Sequence, residues 1–282
     1  MTSPSSSVQE ARKALGKRMA EIRLGAGLTK RALASILGWH ESKASRFESG
    51  TRAPSERDLR MWCSACGAEG EIEDLISTAR GIEGMYVEWR KMERHGLKWA
   101  QESVLPLWER TQRFRIYSPW LIPGPVQTAS YISALLTSLR DRRGLLIDDV
   151  PTAVQVRVDK QKIVYGNHTF AILLEESALR YRIGGTDVMA GQLGYLLSAM
   201  ALPAVSIGII PQNADRSTLW PVEGFFLYDD ETVNAELVSA HLTVIQRHEL
   251  AMYAQTFSEL AELAVYGSAA REIITSAIES LG

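Results

Sequence analysis

Glycines that end short runs of apolar periodicity constrain the first third of this 282-residue chain more than any other feature. Leu15, Met19, Ile22 and Arg23 recur at helical spacing, and Gly25 and Gly27 stop that run. Thr29 stands where an N-cap would, ahead of an apolar face of Ala32, Leu33, Ile36 and Leu37, and Gly38 ends the segment. A third helix is expected from about His40 to Ser49, with Ala44 and Phe47 inward and Gly50 at its end. Ser55 and Asp58 have the spacing of a capping box and open a fourth helix, whose inward residues are Leu59, Trp62 and Cys63. Ile72, Leu75 and Ile76 supply a fifth. Residues 8–79 therefore read as one mainly α domain of five short helices.

The rest of the chain has a different texture. Residues 1–7 are Ser/Pro-rich and are expected to be disordered. Residues 80–118 read as a helical, aromatic-rich linker holding Met85, Trp89, Met92, Trp99 and Trp108, broken by Gly96 and Pro106. Its tryptophans suit packing between domains first, and a dimer contact or ligand cage second. From 119 to 282 the pattern alternates. Helices are expected at 129–139, 152–165, 186–200, 240–264 and 268–281, with 140–150 as a loop. Strands are expected at 169–174, 204–210, 224–228 and 232–238. Strands joined by both turns and helices give an α+β domain with a small sheet flanked by helices.

Composition and charge narrow the classes. Hydrophobic residues are 46% and charged residues 23%, which excludes a wholly disordered or collagen-like chain. No apolar run of about 18 residues occurs, so no membrane association is expected. MTSPSSSVQEARK has no apolar core of a secretory signal, and Cys63 and Cys66 cannot staple a chain of this size. A cytoplasmic location is the expectation. Net charge is −2, but residues 1–60 carry 12 Lys+Arg against 6 Asp+Glu, leaving 19 against 27 in the remaining 222. A basic head on an acidic body is a layout suited to nucleic-acid binding by the head.

Gly27-Leu28-Thr29-Lys30-Arg31-Ala32-Leu33-Ala34, Leu37-Gly38-Trp39 and His40 through Gly50 together resemble the Xre/phage-repressor helix-turn-helix family, over roughly residues 12–78. The tight turn sets the Ala44/Phe47 face of the third helix against the second helix and leaves Glu41, Ser42, Lys43, Ser45 and Arg46 as a polar face. Such a helix fits the major groove, where base edges are distinguishable. Arg46 can fork onto a guanine, Ser42 and Lys43 can reach bases or phosphates, and Glu41 can accept from a cytosine amino group. Lys30, where the family often has Gln, and Arg52, on the following loop, are candidate phosphate contacts. The resemblance also implies that Arg23 pairs with Glu48 to lock the first helix to the third. Lys17, Arg18 and Arg31 read as a solvated helix face. A lone helix-turn-helix makes few base contacts, so a homodimer on a double-stranded DNA operator is expected.

Further stretches resemble the C-terminal domain of actinobacterial Xre regulators of the WhiJ-like or Scr1-antitoxin-like group. They are Leu121 through Thr128, Arg157-Val158-Asp159-Lys160-Gln161, Glu175 through Arg180, Gly184-Gly185 with Val188-Met189 and Gln192-Leu193, and Val233-Asn234-Ala235-Glu236. Pro125 and the loop Pro211-Gln212-Asn213-Ala214-Asp215 depart from that group's pattern. The resemblance implies a transcriptional regulator modulated by a small acidic partner protein encoded nearby. An antitoxin-like protein that sequesters such a partner and autoregulates its operon is the alternative it leaves open. A small-molecule effector is a further possibility, with Gln127, Arg157, Gln161, Glu175 and Arg180 as candidate ligand or partner residues. The structural reading of those five is hydrogen-bonded support, and it carries the greater weight.

No enzymatic motif occurs: there is no Gly-x-Ser-x-Gly elbow, His-Glu-x-x-His, P-loop or Gly-x-Gly-x-x-Gly. No enzyme activity, cofactor or metal is expected. His241 and His248 share a helix face but have no further ligand at metal spacing. Cys63-x-x-Cys66 lacks two ligands for zinc and reads as a pair of core or boundary thiols, with redox sensing as the sharper alternative.

Overall fold

The computed structural model describes residues 4–282, with side-chain placement outside 4–8, 83–88, 90 and 91. The chain divides into two compact units, Met1–Val87 and Glu88–Gly282.

The first unit is five α-helices: α1 (Pro4–Gly25), α2 (Lys30–Leu37), α3 (Glu41–Glu48), α4 (Glu56–Ala65) and α5 (Ile72–Met85). Residues 4–7, expected to be disordered, are the first turn of α1; residues 1–3 lie outside the described residues. Local chemistry sets the ends. The Thr29 hydroxyl accepts from the Ala32 N–H, and Ser55 and Asp58 close a reciprocal capping box at α4. The core joins Met19, Leu33, Phe47, Leu59, Trp62, Leu75 and Ile76, all buried. Each such side chain contributes roughly 1.5–3 kcal/mol by leaving water. The Trp62 indole also donates to the Met19 carbonyl at 3.0 Å, which satisfies its polar end. One expected core residue is misplaced: Ile36 is 59% exposed and Ala34 is buried beside Leu33 in its stead. α3 and α4 both contact α2, and that pair of contacts sets the face that is covered.

The second unit is α+β, a sheet flanked by helices. A three-residue strand, β1 (Tyr86–Glu88), spans the junction of the units. The second unit then opens with the short helices α6 (Trp89–Met92), α7 (Leu97–Glu102) and α8 (Leu105–Arg110). Six strands follow: β2 (Arg113–Ser118), β3 (Thr169–Glu175), β4 (Val205–Ile210), β5 (Phe225–Tyr228), β6 (Thr232–Glu236) and β7 (Ala240–Val244). Their order across the sheet is β7-β6-β5-β2-β3-β4. The pairs β2–β3 and β3–β4 are parallel; the pairs from β2 through β5 and β6 to β7 are antiparallel. The parallel part is crossed over by α9 (Ala129–Arg143), α10 (Val150–Lys160), α11 (Glu176–Arg180) and α12 (Thr186–Ala199). Helices α13 (Arg247–Glu262) and α14 (Gly267–Glu279) complete the unit.

The main core lies on one face of the sheet, where Phe114, Ile116, Phe170, Ile172, Leu174, Ile207 and Ile209 meet Tyr131, Met189, Leu193, Leu196 and Ile274. Phe114 and Phe170 stack at 4.5 Å. On the other face, Phe225 meets Tyr253 and Phe257 of α13. The β5–β6 hairpin turns through Asp229 and Asp230, both at positive φ, and the Asp229 carboxylate accepts from the Gln112 and Arg113 N–H groups.

Two strands stand where helix was expected. Arg113–Ser118 is the strand between the parallel and antiparallel parts, and its Arg-Phe-Arg-Ile alternation places Phe114 and Ile116 in the core. Ala240–Val244 pairs with β6, and only Arg247–Glu262 of the expected 240–264 helix is α-helical. Ala240, Leu242 and Val244 are buried while His241 and Thr243 are less so, a period of two that a helical reading overrides. The α9 helix also runs on to Arg143 through part of the expected loop, and 161–165 is a 3-10 turn rather than more α-helix.

Candidate nucleic-acid interface

Between α2 and α3 the chain reverses at Gly38, whose φ of 65° is left-handed and costs little without a Cβ. The Trp39 N–H reaches back to the Ala34 carbonyl at 2.8 Å. Trp39 packs edge-on against Phe47 at 5.8 Å and against Trp62 at 6.4 Å, so the turn is tied to the core. His40 caps α3 with its imidazole, whose Nδ1 accepts from the Ser42 N–H at 3.3 Å. Residue 16 marks where α1 crosses the end of α3. A Cβ there would stand 2.5 Å from the carbonyl oxygens of Phe47 and Glu48, so Gly16 permits the close approach.

An ion pair locks that crossing. Arg23 Nε and Nη2 donate to the two Glu48 carboxylate oxygens at 2.6 and 3.1 Å, and Arg23 Nη1 donates to the Leu28 carbonyl at 2.6 Å. The guanidinium thus ties α3 both to α1 and to the segment entering α2, as the family resemblance implies. Ala44 and Phe47 are buried against the bundle.

The expected DNA-facing residues divide into two groups. Glu41, Ser42, Arg46 and Arg52 are exposed on α3 and the loop after it. Arg46 Nε donates to the Ser42 carbonyl at 3.2 Å, and the Arg52 N–H donates to the Arg46 carbonyl at 3.2 Å. Lys30 is half-exposed and 3.3 Å from Glu48. Lys43 is half-buried and paired: its ammonium is 2.6 Å from Asp58 Oδ1 and 3.8 Å above the Trp39 ring. The Asp58 carboxyl is disfavoured in its charged form by burial, but bonds from Lys43 and Ser55 outweigh this and lower its pKa. Ser45 is half-buried. Of the helix surface, Arg18 bridges Glu71 and Asp74, both at 2.6 Å, while Lys17 and Arg31 are exposed.

The five candidate ligand or partner residues fall into three places. Gln127, Arg157 and Gln161 meet. Arg157 Nη1 donates to Gln127 Oε1 at 3.2 Å, and Gln161 Nε2 donates to the carbonyls of Gly124 and Gln127 at 2.5 and 2.9 Å. Glu175 lies elsewhere, accepting from Tyr117 Oη at 2.7 Å and from Arg216. Arg180 pairs with Glu176 one turn away at 2.6 Å. Pro125 sits buried in the 3-10 turn Gly124–Val126, which Gln192 also holds through the Val126 carbonyl at 2.7 Å. Lys160 stands in the Arg157–Gln161 motif but is not among the candidate residues. It is buried on α10 with its amine 4.2 Å from the Trp108 ring centroid. Its neighbours in sequence carry no signal of that burial.

Cys63 is buried and its thiol is pushed up to about 11, by burial first and then by Cys66 and nearby carboxylates. Burial raises Cys66 as well. Both are held as thiols, which disfavours redox chemistry at neutral pH. His241 packs against Trp89 at 5.9 Å, and burial pulls its pKa down. Among the described residues no group of three His, Cys, Asp or Glu is placed to hold a metal ion. No helix of the described residues is long and apolar enough to cross a membrane.

A capped short helix, a glycine turn and a second helix with an exposed polar face define a helix-turn-helix head, and residues 14–75 match the helix-turn-helix domain family. Residues 102–276 match a domain of unknown function, DUF5753, and the chain belongs to that family. Among solved structures the chain is similar to TrmBL2, an archaeal chromatin protein whose structure is described as showing a novel mode of DNA binding. That likeness has 12% identity and a TM-score of 0.32, over 85% of this chain and 88% of the other. At that TM-score it bears on neither fold nor function. No curated protein matches the chain.

Proposed function

We propose that this protein is a sequence-specific DNA-binding transcriptional regulator that reads the major groove with α3. The observation that carries this is the exposed Glu41, Ser42 and Arg46 face on a helix held by the Arg23–Glu48 pair and by buried Ala44 and Phe47. Arg46 is the guanine reader, with Ser42 and Glu41 beside it. Lys30 and Arg52 flank that face as phosphate contacts. Lys43 supports the fold through Asp58 rather than touching DNA. A homodimer would place two such helices in half-sites about 34 Å apart.

The second unit then serves regulation in the cytoplasm. The resemblance of its motifs to WhiJ-like and Scr1-antitoxin-like regulators supports modulation by a small acidic partner or an effector. The test is binding to the DNA upstream of its own gene against scrambled DNA at two salt concentrations. A specificity ratio of at least about 10³ that persists at the higher salt supports a site-specific regulator. Equal binding to both DNAs, abolished by salt, refutes sequence readout by α3.

A further inference from the structure

We infer that Arg157 and Lys160 form an anion-binding site in the second unit, one that takes the carboxylate or phosphate group of a small effector. The effector role rests on the regulator reading above; the binding itself does not.

The two residues lie three apart on α10 and so share a face. Lys160 is only 9% exposed, and a buried lysine is ordinarily paired with an opposite charge. Here it is not. No described carboxylate lies within ion-pair distance of either cation. The Lys160 amine has the Trp108 ring at 4.2 Å, a weaker counterpart than an anion. Arg157 Nε donates to Gln101 Oε1 at 2.9 Å and its Nη1 to Gln127 Oε1 at 3.2 Å, both neutral amides. Glu236, exposed on β6, reaches both cations through its field without pairing with them.

The surroundings are built to hold these groups still. Gln127 Nε2 donates to the Ile122 carbonyl at 2.6 Å, and Gln161 bonds the Gln127 carbonyl. The guanidinium is therefore positioned by a fixed amide frame rather than by a counter-charge. A buried ammonium that shares a helix face with a second cation is costly. That cost shows at Lys160, whose pKa falls to about 7 under burial and then the Arg157 charge, partly offset by Glu236. An oxyanion bridging a planar guanidinium and a point-charge ammonium would offset it. Trp108, with Phe226 at 6.4 Å, adds an aromatic wall that suits an effector with an apolar body.

The test uses the full chain at pH 7, in chloride against sodium phosphate and sodium benzoate at equal ionic strength, by calorimetric titration and thermal unfolding. The expected result is one site per chain for at least one anion. Near ten times its Kd, that anion should raise the second unit's Tm by about 3–6 °C. Lys160→Met and Arg157→Met should each weaken binding about tenfold or more, while Lys162→Met, which removes an exposed partner of Asp159, should not. In chloride alone Lys160→Met should melt no lower than the parent, because the uncompensated charge is gone. Phosphate binding alone assigns a phosphate effector, and benzoate binding alone a carboxylate. The proposal is overturned if the parent binds neither anion, or if Lys160→Met and Lys160→Gln bind as the parent does. It is also overturned if both Lys160 variants melt well below the parent in chloride, which would make the residue structural packing on Trp108. Failure of operator binding would leave each of these readouts intact.

Discussion

Replacing Arg23 with Met tests whether the recognition helix depends on a buried ion pair. Arg23 is 6% exposed. Its guanidinium makes two charged bonds to Glu48 and one to the Leu28 carbonyl, all between 2.6 and 3.1 Å. Methionine approximates the stem but leaves the Glu48 carboxylate buried with Lys30 at 3.3 Å as its remaining cation. Breaking a buried pair from one side costs about 3–5 kcal/mol. Because Lys30 keeps part of the compensation, the low end, about 3 kcal/mol, is expected. That is a factor of roughly 150 in the opening equilibrium. Hydrogen exchange read by mass spectrometry on the full chain reports each unit separately. Amides of α1 to α3 should lose protection by about that factor, while β2 to β4 should not change. Arg23→Met with Glu48→Leu should recover most of the loss, because no charge remains buried alone. A loss of less than about fivefold in the single variant would refute the reasoning. The pair would then be worth no more than an exposed salt bridge.

Other substitutions follow from the same geometry. Arg46→Ala should lose about 1–3 kcal/mol of preference at one base pair per half-site, measured by competition with single-base operator variants; unchanged preference would move the reading register off Arg46. Arg52→Ala and Lys30→Ala should each reduce the slope of log affinity against log salt by about 1. Lys30→Ala should also weaken the head, since Glu48 loses a partner there; an unchanged slope in both variants would remove them from the phosphate contacts. Ser55→Ala should cost about 1 kcal/mol through the lost cap at α4, read in the protection of that helix. Lys160 sets a pH dependence. Its folded pKa of about 7 lies below the usual 10.5, so between those values the unfolded chain binds more protons and stability rises with pH. The slope for the second unit should approach about 1.4 kcal/mol per pH unit in urea unfolding between pH 7.5 and about 9, and Lys160→Met should flatten it. His241, whose pKa burial holds below its ordinary value, is already neutral across that window.

The head was legible where its determinants are local. Thr29 caps α2, Ser55 and Asp58 close a box, and Gly38 turns the chain because of residues no more than three or four positions away. The Arg23–Glu48 pair was legible only through family resemblance, since nothing in the spacing of 25 residues announces a contact. The strand β2 was hidden because its alternation is short and follows a run of helical, aromatic-rich sequence. β7 was hidden because its apolar residues also fit a helix face.

Sequence alone thus determined the cap chemistry, the turn, the basic head and acidic body, and the polar face of α3, all properties carried by neighbouring residues. Tertiary structure decided what each polar residue on that face meets. Lys43 turns to Asp58, fifteen positions on, while Arg46 stays in solvent. It also decided that Arg157 and Lys160 meet neutral amides and an indole instead of carboxylates. A side chain's partner and its loss of water depend on segments packed against it from far along the chain, and one-dimensional spacing does not encode that.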